Sequence, residues 1–262
     1  MSWEYLNVRH SGHIAWVEFA RPNQANALNY QHLQEIEQAA KSFRDDDTTR
    51  VVIFTGQGKH FSGGADLNDP GSEYHGTLAL RRRRLRIGER AIEAVRDMDQ
   101  ITIAAWNGGA LGGGACLATA MDFRIGAEDC FMAYPEIDLG INLMWKSLPL
   151  IVDLAGAAVA KRLVIGGERM YAPELVRFGI LDQCVAADEL ANAAVTLAET
   201  YASKSPVAAQ MIKRSINTLA APLGNAIMHM DADQNLLNTA SKDRAEAVRA
   251  YQSKTSPDFS GD

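Results

Sequence analysis

Two glycine clusters and one carboxylate hold the residues of this chain best suited to chemistry. "HFSGGADL", residues 60–67, and "GALGGGACL", residues 109–117, each place glycine where an apolar run ends and the chain turns. Without a Cβ in the way, backbone N–H groups there can be presented to a ligand. Two such donors from separate loops, one at the start of a helix whose dipole favours negative charge, would make an oxyanion hole. Close packing of strand against helix is the plainer explanation for either cluster alone, and the pairing weakens it. Glu136, in "PEIDLG", is the candidate acid or base; taken by itself it reads first as a surface carboxylate after a proline turn. Cys116 is the first polar side chain after the triplet Gly112–Gly114. A buried thiol usually behaves as a small apolar residue, and no neighbouring histidine in sequence activates this one.

The elements that must position these residues follow from periodicity. "YLNVRHSGHIAWVEFARP" gives alternating runs around Ser11-Gly12, a hairpin signal. Asn29 caps a predicted helix in which Leu33, Ile36, Ala40 and Phe43 share a face. "RVVIFTGQG", residues 50–58, and "ITIAAWNG", residues 101–108, read as buried strands, with a helix carrying Leu85, Gly88, Ile92 and Val95 between them. The glycine triplet then opens a further helix. This alternation predicts an α/β core with parallel strands. After Pro149 the pattern is nearly all helical, with start signals at Asp188, Ser205-Pro206 and Ser241. The expected organisation is a core over residues 1–200 and a helical module over 201–262, joined without a flexible linker.

Composition narrows the function. A chain of 262 residues with 47% apolar side chains can build a sizeable core. Its net charge of −6 argues against general affinity for nucleic acid or anionic lipid. Three cysteines at spacings that match neither a zinc site nor a disulfide framework point to a reducing, cytoplasmic setting. No leader pattern and no run of about 18 apolar residues is present, so no membrane partner is expected. Neither a phosphate-binding G-x-x-x-x-G-K-[ST] loop nor a dinucleotide fingerprint occurs.

"FSGGADL", "AAWNGGALGGGACLA", "PEIDLG" and "SKDRAEAVRAY", in this order and spacing, resemble the enoyl-CoA hydratase/isomerase, or crotonase, superfamily from about residue 4 to the C-terminus. The resemblance implies a crotonase-like spiral of ββα units with a C-terminal helical region, assembled as a homo-oligomer, either a trimer or a dimer of trimers. It implies an acyl-CoA thioester as substrate, coenzyme A being part of that substrate, with no metal and no redox cofactor. The N–H groups of Gly63 and Gly113 would bind the thioester oxygen and stabilise the enolate. Ala65, Asp66 and Leu67 would line the channel near the adenine end.

Two departures from the family pattern shape the expected reaction. Hydratases of this family carry two glutamates, and the first stands where this chain has Cys116; the second is Glu136. Adding water calls for a base and a proton source, whereas moving a double bond needs one shuttling base, so isomerisation of an enoyl-CoA is expected first. Hydration is the runner-up, and thioester hydrolysis a more distant alternative. In "LGINLMWKSLPL" the extra aspartate of dienoyl-CoA isomerases would align with Met144, which argues against that chemistry. Met144 and Trp145 either narrow the acyl pocket or are core. Finally, "RRRRLR", residues 81–86, could offer Arg82 or Arg86 to the phosphates of CoA; an RNA-binding role for the run is the minority reading against the chain's acidity.

Overall fold

The structure is a computed structural model that describes residues 3–69, 76–220, 224, 226 and 228–261. Strands β1 (Leu6–Ser11) and β2 (Ile14–Phe19) form an antiparallel hairpin that turns at Gly12, where φ is +59°. Next comes α1 (Tyr30–Ser42), capped as expected by the Asn29 side chain, which accepts the His32 N–H at 2.8 Å. β3 (Val51–Gly56) and β4 (Ile101–Trp106) are the two buried runs, and between them lie α2 (Leu78–Leu85) and α3 (Ile87–Arg96). Leu85 closes α2, while Gly88, Ile92 and Val95 form the buried face of α3.

β5 (Gly109–Leu111), α4 (Gly113–Ala120), β6 (Phe123–Ala127) and β7 (Phe131–Ala133) complete the middle of the chain. Beyond them are α5 (Leu148–Val164), β8 (Met170–Tyr171), α6 (Ala172–Arg177), β9 (Gln183–Val185) and α7 (Leu190–Ala202). The C-terminal helices are α8 (Pro206–Ala220), α9 (Asp231–Thr239) and α10 (Lys242–Ser253). The strands build a sheet in the order β1-β2-β3-β4-β6-β9, parallel from β2 onward, and a smaller sheet in the order β5-β7-β8. β8 and β9 lie inside the region expected to be all helical. Two or three residues are too few to show a strand period, and both form only by joining an existing sheet.

The larger sheet is buried on both faces, which is why β3 and β4 read as continuous apolar runs rather than alternating ones. Val51, Ile53, Ile103 and Ala105 pack with Leu190, Ala194 and Ala198 of α7. Val52, Phe54, Ala104 and Trp106 point the opposite way, into the core shared with α1, α3 and α4. The C-terminal helices dock on this same core. Lys213 of α8 donates to the Gln100 carbonyl and pairs with Asp122, both at 2.7 Å. Arg244 of α10 donates to the Leu139 carbonyl at 2.6 Å, and the Asp231 side chain at the start of α9 accepts the Lys146 backbone N–H at 2.7 Å.

Candidate active site

The first glycine loop is clamped against the segment before α1. Asn26, fully buried, donates from its amide to the carbonyls of Gln57 at 2.9 Å and His60 at 2.7 Å. Its own carbonyl accepts the Ser62 hydroxyl at 2.8 Å, and the Gly64 carbonyl accepts the Leu28 N–H at 2.8 Å. Within this clamp the Gly63 N–H donates to the Ala25 carbonyl at 2.7 Å. That corrects the expectation for Gly63: its N–H is already used in holding the loop. Two residues on, Ala65 is exposed and its N–H has no partner among the described residues. The free donor of this loop is therefore Ala65.

The second loop meets the first without spare room. Ser62 and Ala110 form a parallel bridge, with the Leu111 N–H donating to the Ser62 carbonyl at 3.0 Å. A Cβ on Gly64, whose φ is +84°, would fall 2.4 Å from the Leu111 oxygen and 3.3 Å from the Gly113 nitrogen. Only glycine allows this approach, and it brings the two loops to within contact of each other. Gly113 is the first residue of α4, so its N–H has no intrahelical acceptor, and it has none elsewhere among the described residues. It lies at the positive end of the helix dipole.

Glu136 completes the arrangement. β7 carries the chain to Tyr134-Pro135, and the turn that follows sets the Glu136 carboxyl over Gly112: a Cβ there would be 2.6 Å from Oε1. Its Oε2 is buried with no hydrogen-bond partner among the described residues. Burial raises this carboxyl from its ordinary 4.5 to about 7, so both protonation states are accessible near neutral pH. Cys116 lies one turn into α4, almost wholly buried. Burial first, and the nearby Glu136 carboxylate second, push the thiol well above its usual range, so it stays protonated. Asp138 turns away to the side of Gly167.

The loop after Glu136 contributes Trp145, whose indole packs against both Gly113 and Gly88. Met144 beside it is partly buried against the core. The remaining predicted contacts are spread outward. Asp66 is bound to Arg21 in a largely buried pair at 2.9 Å, which fixes the loop just past Ala65. Leu67 is exposed. Arg82 pairs through two nitrogens with Asp233 of α9, and Arg86 is bidentate to the buried Glu89 at 2.8 and 2.9 Å. Arg84 lies 4.0 Å over the Tyr30 ring. Arg82, Arg84 and Arg86 thus make contacts within the fold.

Sequence reasoning missed the unpartnered N–H of Ala65, Asn26 and Ser62 as the clamp, and Asp231 and Lys146 as supports of the Trp145 loop. The buried polar pair in "PNQAN" and "HFSGG" was the available signal for the clamp. Asp231 had none, because its partner is a backbone N–H far away in the chain.

Known proteins share this sequence pattern and this fold. A family model described as enoyl-CoA hydratase/isomerase matches residues 9–262. A crotonyl-CoA hydratase of Syntrophomonas wolfei is 30% identical over 261 residues, covering 99% of each chain. A peroxisomal Delta(3,5)-Delta(2,4)-dienoyl-CoA isomerase of Arabidopsis thaliana is 30% identical over 249 residues, covering 91% of this chain and 90% of its own. The fold is shared with a crystal structure of an enoyl-CoA hydratase from Mycobacterium avium subsp. paratuberculosis at a TM-score of 0.88, with 22% identity over 99% of this chain and 100% of that one.

Proposed function

The chain belongs to the enoyl-CoA hydratase/isomerase family, and on that premise we propose that it converts a 3-enoyl-CoA into the conjugated 2-enoyl-CoA. The thioester oxygen sits between the Ala65 and Gly113 N–H groups. Glu136 removes a proton from the α-carbon, the electron pair moves into the thioester to give a dienolate, and the two N–H groups hold its oxyanion. Glu136 then returns the proton to the γ-carbon as the double bond shifts into conjugation. One proton moves and no electrons leave the substrate, so the step calls for no redox group. Each N–H donor of this kind is worth roughly 10² to 10³ in rate.

The observation that carries this reading is the asymmetry of the site. One carboxyl, Glu136, stands over Gly112 with an unpartnered buried oxygen, while the position at Cys116 holds a protonated thiol. A carboxyl at about 7 suits both taking and giving a proton. Hydration is the second reading, supported by the hydratase among the relatives. The enzyme works as a cytoplasmic homo-oligomer, a trimer or a dimer of trimers; no helix among the described residues is long and apolar enough to cross a membrane.

A spectroscopic pair of assays tests the proposal. With 3-enoyl-CoA, the absorbance of the conjugated thioester should grow. With 2-enoyl-CoA in water, its loss should be slower. Faster loss than growth makes the protein a hydratase, and release of free CoA thiol makes it a thioesterase.

A further inference from the structure

The indole of Trp145 lies directly against Gly113, whose N–H is one of the two proposed oxyanion donors. A Cβ on Gly113 would fall 2.0 Å from Cζ3 and 2.3 Å from Cη2 of this ring; one on Gly88 would fall 2.0 Å from Cε2 and 2.2 Å from Nε1. Its six-membered edge therefore lies on α4 and its five-membered edge on α3. The ring spans the gap between the two helices, and both glycines are needed to admit it.

This placement is built in. Trp145 and Lys146 are consecutive non-glycine residues with left-handed backbone, φ +63° and +55°. Such a pair persists only where its surroundings over-determine it. Here the Lys146 N–H donates to the Asp231 carboxylate at 2.7 Å, and the Lys146 ammonium pairs with Glu89 at 2.7 Å and Glu93 at 2.5 Å. The Ser147 hydroxyl donates to the Trp145 carbonyl at 3.1 Å. Asp231 is itself buried, so α9 holds the turn from behind.

We infer that Trp145 is the stop of the acyl pocket and restricts the enzyme to short-chain acyl thioesters, with Asp231 as a positioning residue that holds the stop in place. This rests on the reading above, in which the carbonyl is held at Ala65 and Gly113. A chain leaving a carbonyl bound beside Gly113 meets the ring within a few carbons, whereas a smaller residue would open the gap between α3 and α4.

The test measures binding of butyryl-CoA and decanoyl-CoA by calorimetry, and kcat/KM for the corresponding four-carbon and ten-carbon enoyl-CoA substrates. The proteins are the wild type, Trp145→Leu, Trp145→Ala and Asp231→Asn. Wild type should favour the four-carbon substrate by at least about tenfold, the scale on which an apolar pocket discriminates size. Trp145→Ala should gain at least about tenfold in the ten-carbon to four-carbon ratio, Trp145→Leu less, and Asp231→Asn should shift the ratio in the same direction. Trp145→Leu carries the test if the alanine variant does not fold. Equal or better use of ten-carbon substrate by wild type, or an unchanged ratio in the folded Trp145 variants, overturns the inference. Failure of wild type to bind either acyl-CoA instead overturns the proposed function itself, and is seen before any variant is compared.

Discussion

As the proposed base, Glu136 acts only when its carboxyl is ionised, and burial holds that carboxyl at about 7. The rate constant kcat/KM should therefore rise about tenfold per pH unit below 7 and level off above it, as a pH–rate profile would show. The same shift has a stability counterpart. Between the ordinary 4.5 and about 7 the native carboxyl keeps a proton that the unfolded chain has released, so stability falls as pH rises through that window. Glu136→Gln should flatten this part of the Tm–pH curve; an unchanged slope would place the titration on another group. Cys116→Ala should change turnover less than about threefold, since a protonated buried thiol has little to lose. Cys116→Glu should raise hydration relative to isomerisation if the new carboxyl ionises. The family resemblance pointed to Glu136, Cys116 and Gly113; the structure sets the Glu136 carboxyl over Gly112 and leaves the Gly113 N–H without a partner among the described residues. Gly63 misled because the Ala25 carbonyl, on a separate segment, takes its N–H, whereas the Ala65 N–H has no partner among the described residues.

Among the elements, the two glycine loops carry the geometry, and their contact is at its tightest at Gly64. Gly64→Ala combines φ +84° with a Cβ 2.4 Å from the Leu111 oxygen. It should cost roughly 1–3 kcal/mol of stability and more in turnover, because the loop must shift away from Gly113. Thermal melts beside kcat/KM would show whether activity falls further than stability alone explains. The strands and helices that carry these loops were readable because β-branched runs buried on both faces, and apolar positions at helical spacing, each repeat over several residues. β8 and β9 were not, having two and three residues. Trp145's turn was hidden for a different reason: left-handed backbone at tryptophan and lysine runs against local preference and exists only through Asp231, Glu89 and Glu93.

At the scale of the whole molecule, α8 presents Val207, Met211, Ile212, Ile216 and Leu219 to solvent, the last of them 79% exposed. A helix face of this kind is expected to be covered in a homo-oligomer. Sedimentation should give a multiple of the 28.5 kDa chain, and Met211→Asp together with Ile216→Asp should lower it. Removing residues 205–255 also strips Lys213, Asp231 and Arg244 from this chain's own core, so inactive or aggregated protein is expected. A soluble, fully active monomer would contradict that. In the proposed reaction the fold and its many contacts serve one event, the transfer of a proton by Glu136 on a thioester held by Ala65 and Gly113. Its most direct measurement is Glu136→Gln assayed for acyl-CoA affinity by calorimetry and for 3-enoyl-CoA turnover by absorbance. Affinity should stay near that of wild type while turnover falls by roughly two to four powers of ten, the usual worth of a general base; full activity in Glu136→Gln, with loss of activity in Cys116→Ala, would make the thiol the catalyst and contradict the assignment.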